Sequence, residues 1–147
     1  MLRIRNELAA KRRKARHFGV QALYKWHMTG GNPDEIFSEF CDEYDFINVD
    51  IEYFSNLLHS ISSQVGELEA VLLPILDRKL DDLDPIERSV LRLGTFELKK
   101  RPDIPYKVVI SESVALAKKF GATDSHRYIN GVLDKVARLL RSDEMGS

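Results

Sequence analysis

The fold class of this chain follows from residues 121–140, GATDSHRYINGVLDKVARLL. The apolar residues of this segment recur three or four positions apart, which is the spacing of one face of an α-helix. The face comprises Ile129, Val132, Leu133, Val136 and Leu140. Gly121 is placed to end a preceding helix and Asp124 to cap this one. Gly131 costs about 1 kcal/mol relative to Ala inside a helix, so it predicts a close helix crossing.

The same helical spacing recurs upstream, and alternating strand patterns are scarce. Asn32-Pro33-Asp34-Glu35 and Asp84-Pro85-Ile86-Glu87 each provide a cap residue, a proline at the first helical position and an acidic side chain near the helix start. Gly30-Gly31 predicts the end of the first helix. Pro74 predicts a kink or a split in a helical stretch spanning about residues 67–80. We therefore expect an all-α protein, a compact bundle of about seven helices.

For two of these helices, the spacing of apolar residues predicts which side chains are buried. The helix that begins after Asp84 is expected to bury one stripe, consisting of Ile86, Val90, Leu93 and Leu98. A helix capped by Asn48 or Asp50 is expected to bury Ile51, Phe54, Leu57, Leu58, Ile61 and Val65.

Length and composition favour a soluble globular protein of one domain. The chain has 147 residues, of which 44% are hydrophobic and 31% are charged. Charged residues interrupt every apolar run well before the roughly 20 residues that a membrane-spanning helix needs, and no signal peptide is visible. We therefore expect a cytoplasmic protein without a membrane segment. Cys41 is the single cysteine and lies in an apolar pattern, so we expect a small core residue.

Charge is distributed unevenly along the chain. Seven of the 22 Lys and Arg residues lie within residues 1–16, where Glu7 is the only acidic residue, so this basic arm carries a formal charge of +6 and the remainder carries −7. Its densest part is residues 11–16, KRRKAR. Lys and Arg side chains that contact phosphates release counterions and so gain affinity for nucleic acid. The alternative is a solvated terminus that only aids solubility.

The sequence offers little support for catalysis. Its four histidines are scattered and lack the spacing of a metal-ligand pair, and no glycine-rich loop follows a strand. The acidic cluster at residues 81–84 precedes a helix start, where negative charge stabilises the helix dipole. We therefore expect no metal, no cofactor and no enzymatic activity. A serine or cysteine nucleophile stays open at this point, because catalytic residues converge in space rather than in sequence.

A second candidate for nucleic-acid binding lies at the start of the last helix. Asp124-Ser125-His126-Arg127-Tyr128 would place a cation and an aromatic ring in an exposed first turn. Single-stranded nucleic acid is held by such groups, since the cation meets phosphate and the ring stacks an unpaired base. The alternative is a capped helix with Tyr128 in the core.

Four motifs give the chain a family resemblance. They are Ala15-Arg16 followed by Val20-Gln21-Ala22-Leu23-Tyr24, residues 87–93 (ERSVLRL), residues 104–108 (IPYKV) and residues 121–135 (GATDSHRYINGVLDK). Together they closely resemble the bacterial transcription antitermination factor NusB family, in the family's order, from about Lys11 to Ala137. The last motif is the most specific.

The resemblance implies a helical fold of two subdomains and a non-enzymatic function. NusB-like proteins pair with the ribosomal protein NusE, bind the single-stranded boxA element of ribosomal RNA leaders, and help the RNA polymerase elongation complex to pass terminators. The implied domain covers residues 11–140, with a leader at 1–10 and a tail at 141–147. The implied RNA contacts are Arg12, Arg13 and Arg16, with Lys14 in the same basic run, and Asp124, Arg127 and Tyr128. The implied NusE-facing residues are Tyr24 and Glu87.

Two other functions compete with this one. The same helical fold resembles the RNA-binding part of some ribosomal RNA cytosine methyltransferases, although we expect no room here for a cofactor-binding domain. The second competitor is a helical protein-interaction module whose basic arm contacts only acidic proteins. Both a monomer and a homodimer are compatible with the sequence. Pro74-Ile75 also departs from relatives that have an aromatic residue in this region near the RNA.

Overall fold

A computed structural model describes residues 2–146, and this part of the chain contains seven α-helices, one 3₁₀ turn and no strand. The helices are α1 Leu2–Thr29, α2 Pro33–Glu43, α3 Ile51–Ser63, α4 Val65–Leu72, α5 Pro85–Lys100, α6 Tyr106–Phe120 and α7 Ser125–Leu140, and the 3₁₀ turn is Leu80–Asp82. The all-α prediction is confirmed. The chain folds into two compact units. The N-terminal unit ends at Ser63, and the C-terminal unit begins at Gln64. No helix between residues 2 and 146 combines the length and the apolar character needed to cross a membrane.

The helix starts predicted from local sequence are confirmed by hydrogen bonds. The Asn32 side chain accepts a 2.8 Å bond from the Asp34 amide, and Asp84 accepts one of 2.8 Å from the Ile86 amide. At the start of α3 the capping residue is Asp50, whose carboxylate accepts a 3.0 Å bond from the Tyr53 amide. Each bond satisfies an amide that has no partner inside its own helix.

Helix ends also follow the predicted signals. Gly30, with φ of 67°, follows α1 in the left-handed conformation that glycine adopts without steric cost. Helix α4 ends at Leu72, two residues before Pro74. The predicted split at this proline is confirmed, and residues 73–79 connect α4 to the 3₁₀ turn.

The core of the N-terminal unit is a cluster of aromatic rings around the fully buried Phe54 of α3. The Phe54 ring centroid lies 5.1 Å from that of Phe46, 5.7 Å from that of Phe37 and 5.8 Å from that of Phe40. These separations are typical of favourable aromatic pairs. The prediction is wrong at both ends of α3. The side chain of Ile51 is 42% exposed in the first turn, and Val65 is half-buried and belongs to α4.

Helix α5 is the central element of the C-terminal unit and is buried on every side. All residues from Ser89 to Leu98 are buried, because α5 contacts α4, α6 and α7. The predicted single stripe is therefore wrong, and Ile86, its first member, is only half-buried. Around the helix, the Glu69 carboxylate accepts bonds of 2.8 Å from Arg88 and 3.1 Å from Arg92. Paired charges of this kind are the form in which ionic groups tolerate burial.

The close helix crossing lies at Gly94 rather than at Gly131. A Cβ atom at Gly94 would stand 2.7 Å from Leu133 Cδ1 and 2.9 Å from Ser113 Oγ, so α5, α6 and α7 approach one another there. A Cβ atom at Gly131 would meet nothing within 4 Å. The predicted crossing at Gly131 is wrong, because that face of α7 is exposed.

The segment after α7 is attached to the same unit by Arg141, which is 7% exposed. Its guanidinium donates to four backbone carbonyls, those of Glu97, Leu98, Arg101 and Ile104. Glu144 accepts a 2.7 Å bond from the Tyr106 amide at the start of α6. Arg141 therefore satisfies carbonyls at the end of α5 and in the loop that follows it.

Candidate nucleic-acid and partner surfaces

The basic arm lies in the first half of α1, and most of it is exposed. Every residue from Leu2 to Lys11 is exposed, and so are Arg13 and Lys14. Contact of α1 with its own unit begins at Lys11, whose carbonyl accepts a 3.2 Å bond from the Asp50 amide, and Ala15 is the first buried residue. The arm therefore presents Arg13 and Lys14 to solvent from a helix that the core holds in place further along.

Arg12 and Arg16 differ from these two residues because they lie over the ring of Tyr53. Their guanidinium carbons are 5.2 Å and 5.5 Å from the Tyr53 ring centroid, within the range of cation–π attraction. Arg12 Nε also lies 3.8 Å from Asp50. Arg12 is half-buried and Arg16 is only 4% exposed. Sequence reasoning missed Tyr53, which belongs to a different helix and shows no pattern that links it to the arm.

The second candidate patch surrounds Tyr128 in the first turn of α7, and we call it the Tyr128 patch. The guanidinium carbon of Arg78 lies 4.1 Å from the Tyr128 ring centroid, and the Tyr128 hydroxyl donates a 3.3 Å bond to Asp77. The side chain is half-buried rather than part of the core, and this burial raises the pKa of the Tyr128 hydroxyl. The bond from Arg78 lowers the pKa of Asp77, so the carboxylate that accepts from Tyr128 is ionised at neutral pH.

Arg78 and Asp77 are functional candidates that sequence reasoning missed. They lie in the connection between α4 and the 3₁₀ turn, far from Tyr128 along the chain. A basic residue beside an acidic one in a polar loop is common, so only the folded C-terminal unit shows what they contact.

Asp124 does not cap α7 with its side chain, and that prediction is wrong. The residue precedes the helix with φ of 68°, in the left-handed region that aspartate tolerates, and its carboxylate makes no capping hydrogen bond. The carboxylate instead lies 3.7 Å from Arg127 Nε, and both side chains are largely exposed. Arg127 thus stands at the surface with a nearby negative charge.

Two residues, Tyr24 and Glu87, were expected to contact a protein partner. Tyr24 lies in the N-terminal unit and Glu87 in the C-terminal unit. Tyr24 on α1 is 36% exposed, and Met28, one turn further, is 57% exposed. Glu87, in the first turn of α5, is half-buried and accepts a 2.7 Å bond from the Ser125 hydroxyl. Tyr24 therefore presents an aromatic ring beside an apolar side chain, while Glu87 is held in a fixed direction.

One set of residues has the composition of a hydrolytic triad but not its arrangement. His59 Nε2 lies 2.7 Å from Asp34, and Nδ1 lies 3.2 Å from Ser55 Oγ. The same Nδ1 is closer, at 2.8 Å, to the Ser55 carbonyl oxygen, which can only accept. Nδ1 is therefore closer to the backbone of its own helix than to the serine hydroxyl, which differs from the direct contact between base and hydroxyl in a catalytic triad. Within residues 2–146 no group of three or more His, Cys, Asp or Glu side chains is arranged to hold a metal ion.

Comparison with known proteins identifies relatives of this chain. The sequence profile of the NusB family matches residues 13–138. The transcription antitermination protein NusB of Alcanivorax borkumensis is 53% identical over 133 residues, which cover 90% of this chain and 89% of the relative.

Two solved structures share the fold. The structure of T. maritima NusB superposes with a TM-score of 0.80 at 27% identity, covering 92% of this chain and 96% of the other. A crystal structure of the antitermination factors NusB and NusE in complex with double-stranded RNA gives a TM-score of 0.79 at 30% identity, covering 86% and 96% of the two chains.

Proposed function

Because this chain belongs to the NusB family, we propose that it is a transcription antitermination protein that binds boxA-type single-stranded RNA together with the ribosomal protein NusE. It acts in the transcription elongation complex with RNA polymerase, in the cytoplasm, and it is not an enzyme. The observation that carries RNA binding is the Tyr128 patch, where the Arg78 guanidinium lies over an aromatic ring and the preceding residue, Arg127, is exposed. A solved relative with NusE and RNA supports both partners.

In the Tyr128 patch, each group has a distinct role. The Tyr128 ring stacks an unpaired base, an interaction worth about 1–3 kcal/mol. Arg127, whose side chain is 79% exposed, binds phosphate. Asp124 restrains that affinity, because its carboxylate neutralises part of the Arg127 charge and repels phosphate.

In the basic arm, the exposed and the buried side chains have different roles. Arg13 and Lys14 are exposed and bind phosphates without reading sequence. Arg12 contributes to the same surface from a half-buried position above Tyr53. Arg16 is too buried to meet phosphate directly, so its role is to hold the Tyr53 ring in place.

Tyr24 and Glu87 contact NusE in this proposal. An exposed aromatic ring next to an apolar side chain is the type of residue that anchors protein interfaces. The carboxylate of Glu87 complements a basic ribosomal protein, in line with the charge of −7 carried by residues 17–147.

The proposal is tested by fluorescence anisotropy with a labelled boxA-type RNA. A scrambled single strand and a duplex of the boxA-type sequence serve as controls, with and without NusE, at two salt concentrations. We expect the boxA-type strand to bind more tightly than both controls, and NusE to increase the difference. Equal affinity for all three RNAs with no effect of NusE would refute the proposal and favour a protein-interaction module. Methyl transfer to ribosomal RNA by the purified protein would refute a non-enzymatic function.

The NusE-facing residues are tested by two variants with a matched control. Tyr24→Ala and Glu87→Lys are expected to weaken NusE binding at least fivefold and to leave binding of RNA alone within twofold. Glu52→Lys makes the same charge reversal at an exposed glutamate of α3 and is expected to behave like wild type. Unchanged NusE affinity in either test variant would remove that residue from the interface.

A further inference from the structure

Helices α6 and α7 of the C-terminal unit form a surface groove that the proposed RNA and NusE contacts do not use. The groove has a volume of about 530 Å³. Its lining includes Lys107, Ile110, Val114 and Lys118 of α6, and Asn130 and Asp134 of α7. We call it the α6–α7 groove.

The floor of the α6–α7 groove is aliphatic. Ile110 and Val114 are one turn apart on α6, and both are half-buried, so part of each side chain faces the groove. Ser111 and Ala115 follow them in the lining and are small and exposed, which leaves room above the floor. A segment laid along α6 would therefore remove aliphatic surface from water.

A lysine stands towards each end of this floor. Residues 107 and 118 are three helical turns apart, so they lie on one face of α6 and are separated by about 16 Å along its axis. Lys107 and Lys118 are both exposed, and neither forms an ion pair within residues 2–146. The groove therefore offers two positive charges at a fixed spacing.

Two acidic side chains near the groove are already paired. Asp134 on the α7 wall forms a 2.9 Å ion pair with Arg138. Glu144 pairs with Arg141 and accepts a 2.7 Å bond from the Tyr106 amide at the start of α6. The two lysines are therefore the charges that a ligand in the groove can neutralise.

This chemistry favours a protein helix over RNA or a small anion. Single-stranded nucleic acid is bound by stacking on aromatic rings, whereas Tyr106 is the one aromatic side chain among the described residues that line the groove. The lysine spacing suits two negative charges three turns apart rather than one compact anion. An amphipathic helix supplies both features, since its apolar residues recur at i, i+3 and i+4 and acidic residues can flank them.

We propose that the α6–α7 groove docks one acidic amphipathic helix of a protein partner, with Ile110 and Val114 as its floor and Lys107 and Lys118 as the cations that each bind an acidic side chain. The inference goes beyond the proposed binding of RNA and NusE. Asn130 and Asp134 line this groove, whereas Arg127 and Tyr128 line a separate pocket, so the two surfaces share no lining residue.

The first experiment selects the chemistry of the occupant. A phage-displayed library of helical peptides of about 16 residues, long enough for three turns and both ends, is panned against wild type and counter-selected against Lys107→Glu/Lys118→Glu. We expect the enriched peptides to share two acidic residues about three turns apart, with apolar residues at helical spacing between them. Enrichment of neutral or basic sequences, or of none that distinguishes the two proteins, would overturn the proposal.

The second experiment measures one enriched peptide by fluorescence anisotropy. Lys107→Glu/Lys118→Glu is expected to weaken its binding about tenfold or more, because attraction becomes repulsion at both ends. Lys119→Glu/Lys135→Glu makes the same change in net charge on α6 and α7 outside the groove and is expected to bind the peptide like wild type. Equal losses in the two variants would show an effect of net charge alone and refute the docking site.

A third variant tests the floor without changing the charge. Ala115 is exposed, so the ring in Ala115→Phe occupies the groove rather than the core. We expect it to weaken peptide binding about tenfold, whereas Ala9→Phe, at an exposed alanine of α1, is expected to bind like wild type. Thermal unfolding checks that both variants are folded. Full affinity in Ala115→Phe would place the peptide elsewhere and refute the proposal.

Other occupants would be recognised by their own results, and each would overturn the proposal. A larger loss of boxA-type RNA binding in Lys107→Glu/Lys118→Glu than in Lys119→Glu/Lys135→Glu would assign the groove to RNA. Self-association of wild type that the first variant lacks, measured by sedimentation velocity, would assign it to a second copy of the chain. Displacement of the enriched peptide by NusE would assign it to the NusE interface.

The inference and the proposed function can fail separately. If wild type does not distinguish boxA-type RNA from its controls, the proposed function fails, while groove-dependent binding of an acidic helix still supports the docking site. If boxA-type RNA binds as proposed and no acidic helix depends on Lys107 and Lys118, the docking site alone is refuted.

Discussion

The hydroxyl of Ser125 donates a 2.7 Å hydrogen bond to the carboxylate of Glu87. This bond joins the first residue of α7 to the first turn of α5. In the proposed function, Glu87 contacts NusE and the first turn of α7 contacts RNA. The bond therefore joins the side chain proposed to contact NusE to the helix turn proposed to contact RNA.

We predict that Ser125→Ala lowers the free energy of unfolding by about 1–2 kcal/mol, because Ser125 is 4% exposed and its loss leaves Glu87 without this donor. Urea unfolding measures the change, with Ser111→Ala on the exposed face of α6 as the control. In a double-mutant cycle with Glu87→Ala, which removes the acceptor, the two effects are expected to be non-additive. Additive effects would show that the bond does not contribute.

We predict that substitution by alanine changes the free energy of unfolding in opposite directions at Gly94 and Gly131. Gly94→Ala is expected to lower the free energy of unfolding by about 1–3 kcal/mol, because the new methyl group overlaps Leu133 and Ser113. Gly131→Ala is expected to raise it by up to about 1 kcal/mol, since the methyl group enters open space in a helix. Chemical unfolding of both variants provides the comparison, and equal signs would contradict the assignment of the close crossing to Gly94.

We predict that Arg141 contributes far more to the free energy of unfolding than Arg138, an exposed arginine of α7. Arg141→Ala removes the donor to four carbonyls in a nearly buried position and is expected to cost about 2–4 kcal/mol. Arg138→Ala is the control, because Arg138 is 70% exposed and pairs with Asp134 on the same helix. Its expected effect is below about 0.5 kcal/mol. Similar losses for both variants would show that Arg141 does not hold the segment after α7.

We predict that Glu69 stabilises the fold at neutral pH and that this stabilisation is lost at low pH. Burial raises its pKa, but hydrogen bonds and charge from Arg88 and Arg92 outweigh burial and hold the pKa below the ordinary value of 4.5. A depressed pKa contributes stability that is present above the unfolded-state pKa and is lost as the pH falls through the folded-state pKa.

The corresponding measurement compares wild type with Glu69→Gln in urea at pH 7 and at successively lower pH. At pH 7 the variant is expected to be less stable by about 3 kcal/mol, because Arg88 and Arg92 lose the carboxylate that they share, although Arg88 keeps its ion pair with Asp81. Below pH 4.5 the difference is expected to shrink as Glu69 is protonated. A difference that stays constant down to the lowest pH would disprove this role.

We predict that removing charge from the basic arm changes the salt dependence of RNA binding and leaves the fold unchanged. The double variant Arg13→Ala/Lys14→Ala is expected to reduce the slope of log affinity against log salt by about 0.7 for each phosphate contact removed. Stability is expected to stay unchanged, because both side chains are exposed. The variant Lys118→Ala/Lys119→Ala removes the same charge from the last turn of α6 and serves as the control. An equal change of slope in both variants would mean that the effect comes from net charge alone.

The features that sequence predicted correctly are those that depend on near neighbours in the chain. Asn32 and Asp84 bond to amides two residues away, and Pro74 acts on its own helix. Such signals are complete within a few residues, so the pattern alone was sufficient to place these helix boundaries, whereas the same reasoning failed for the cap at Asp124.

The features that sequence did not predict depend on distant elements. The burial of α5 on all sides requires three neighbouring helices, and no stripe in its own sequence reveals them. Glycine content cannot distinguish Gly94 from Gly131, since only the approach of Leu133 separates the two. The partners of the candidate site residues, Tyr53 for the arm and Arg78 for Tyr128, come from other elements for the same reason.

Helix α1 connects a packed half with an exposed one, and this has a consequence for folding and for evolution. Starting a helix is costly, whereas adding residues to an existing one is not. The packed residues from Ala15 onward supply the nucleus, so the outer turns need only propagate from it. The length and charge of those turns can therefore change by mutation while the nucleus and the unit that contains it remain the same.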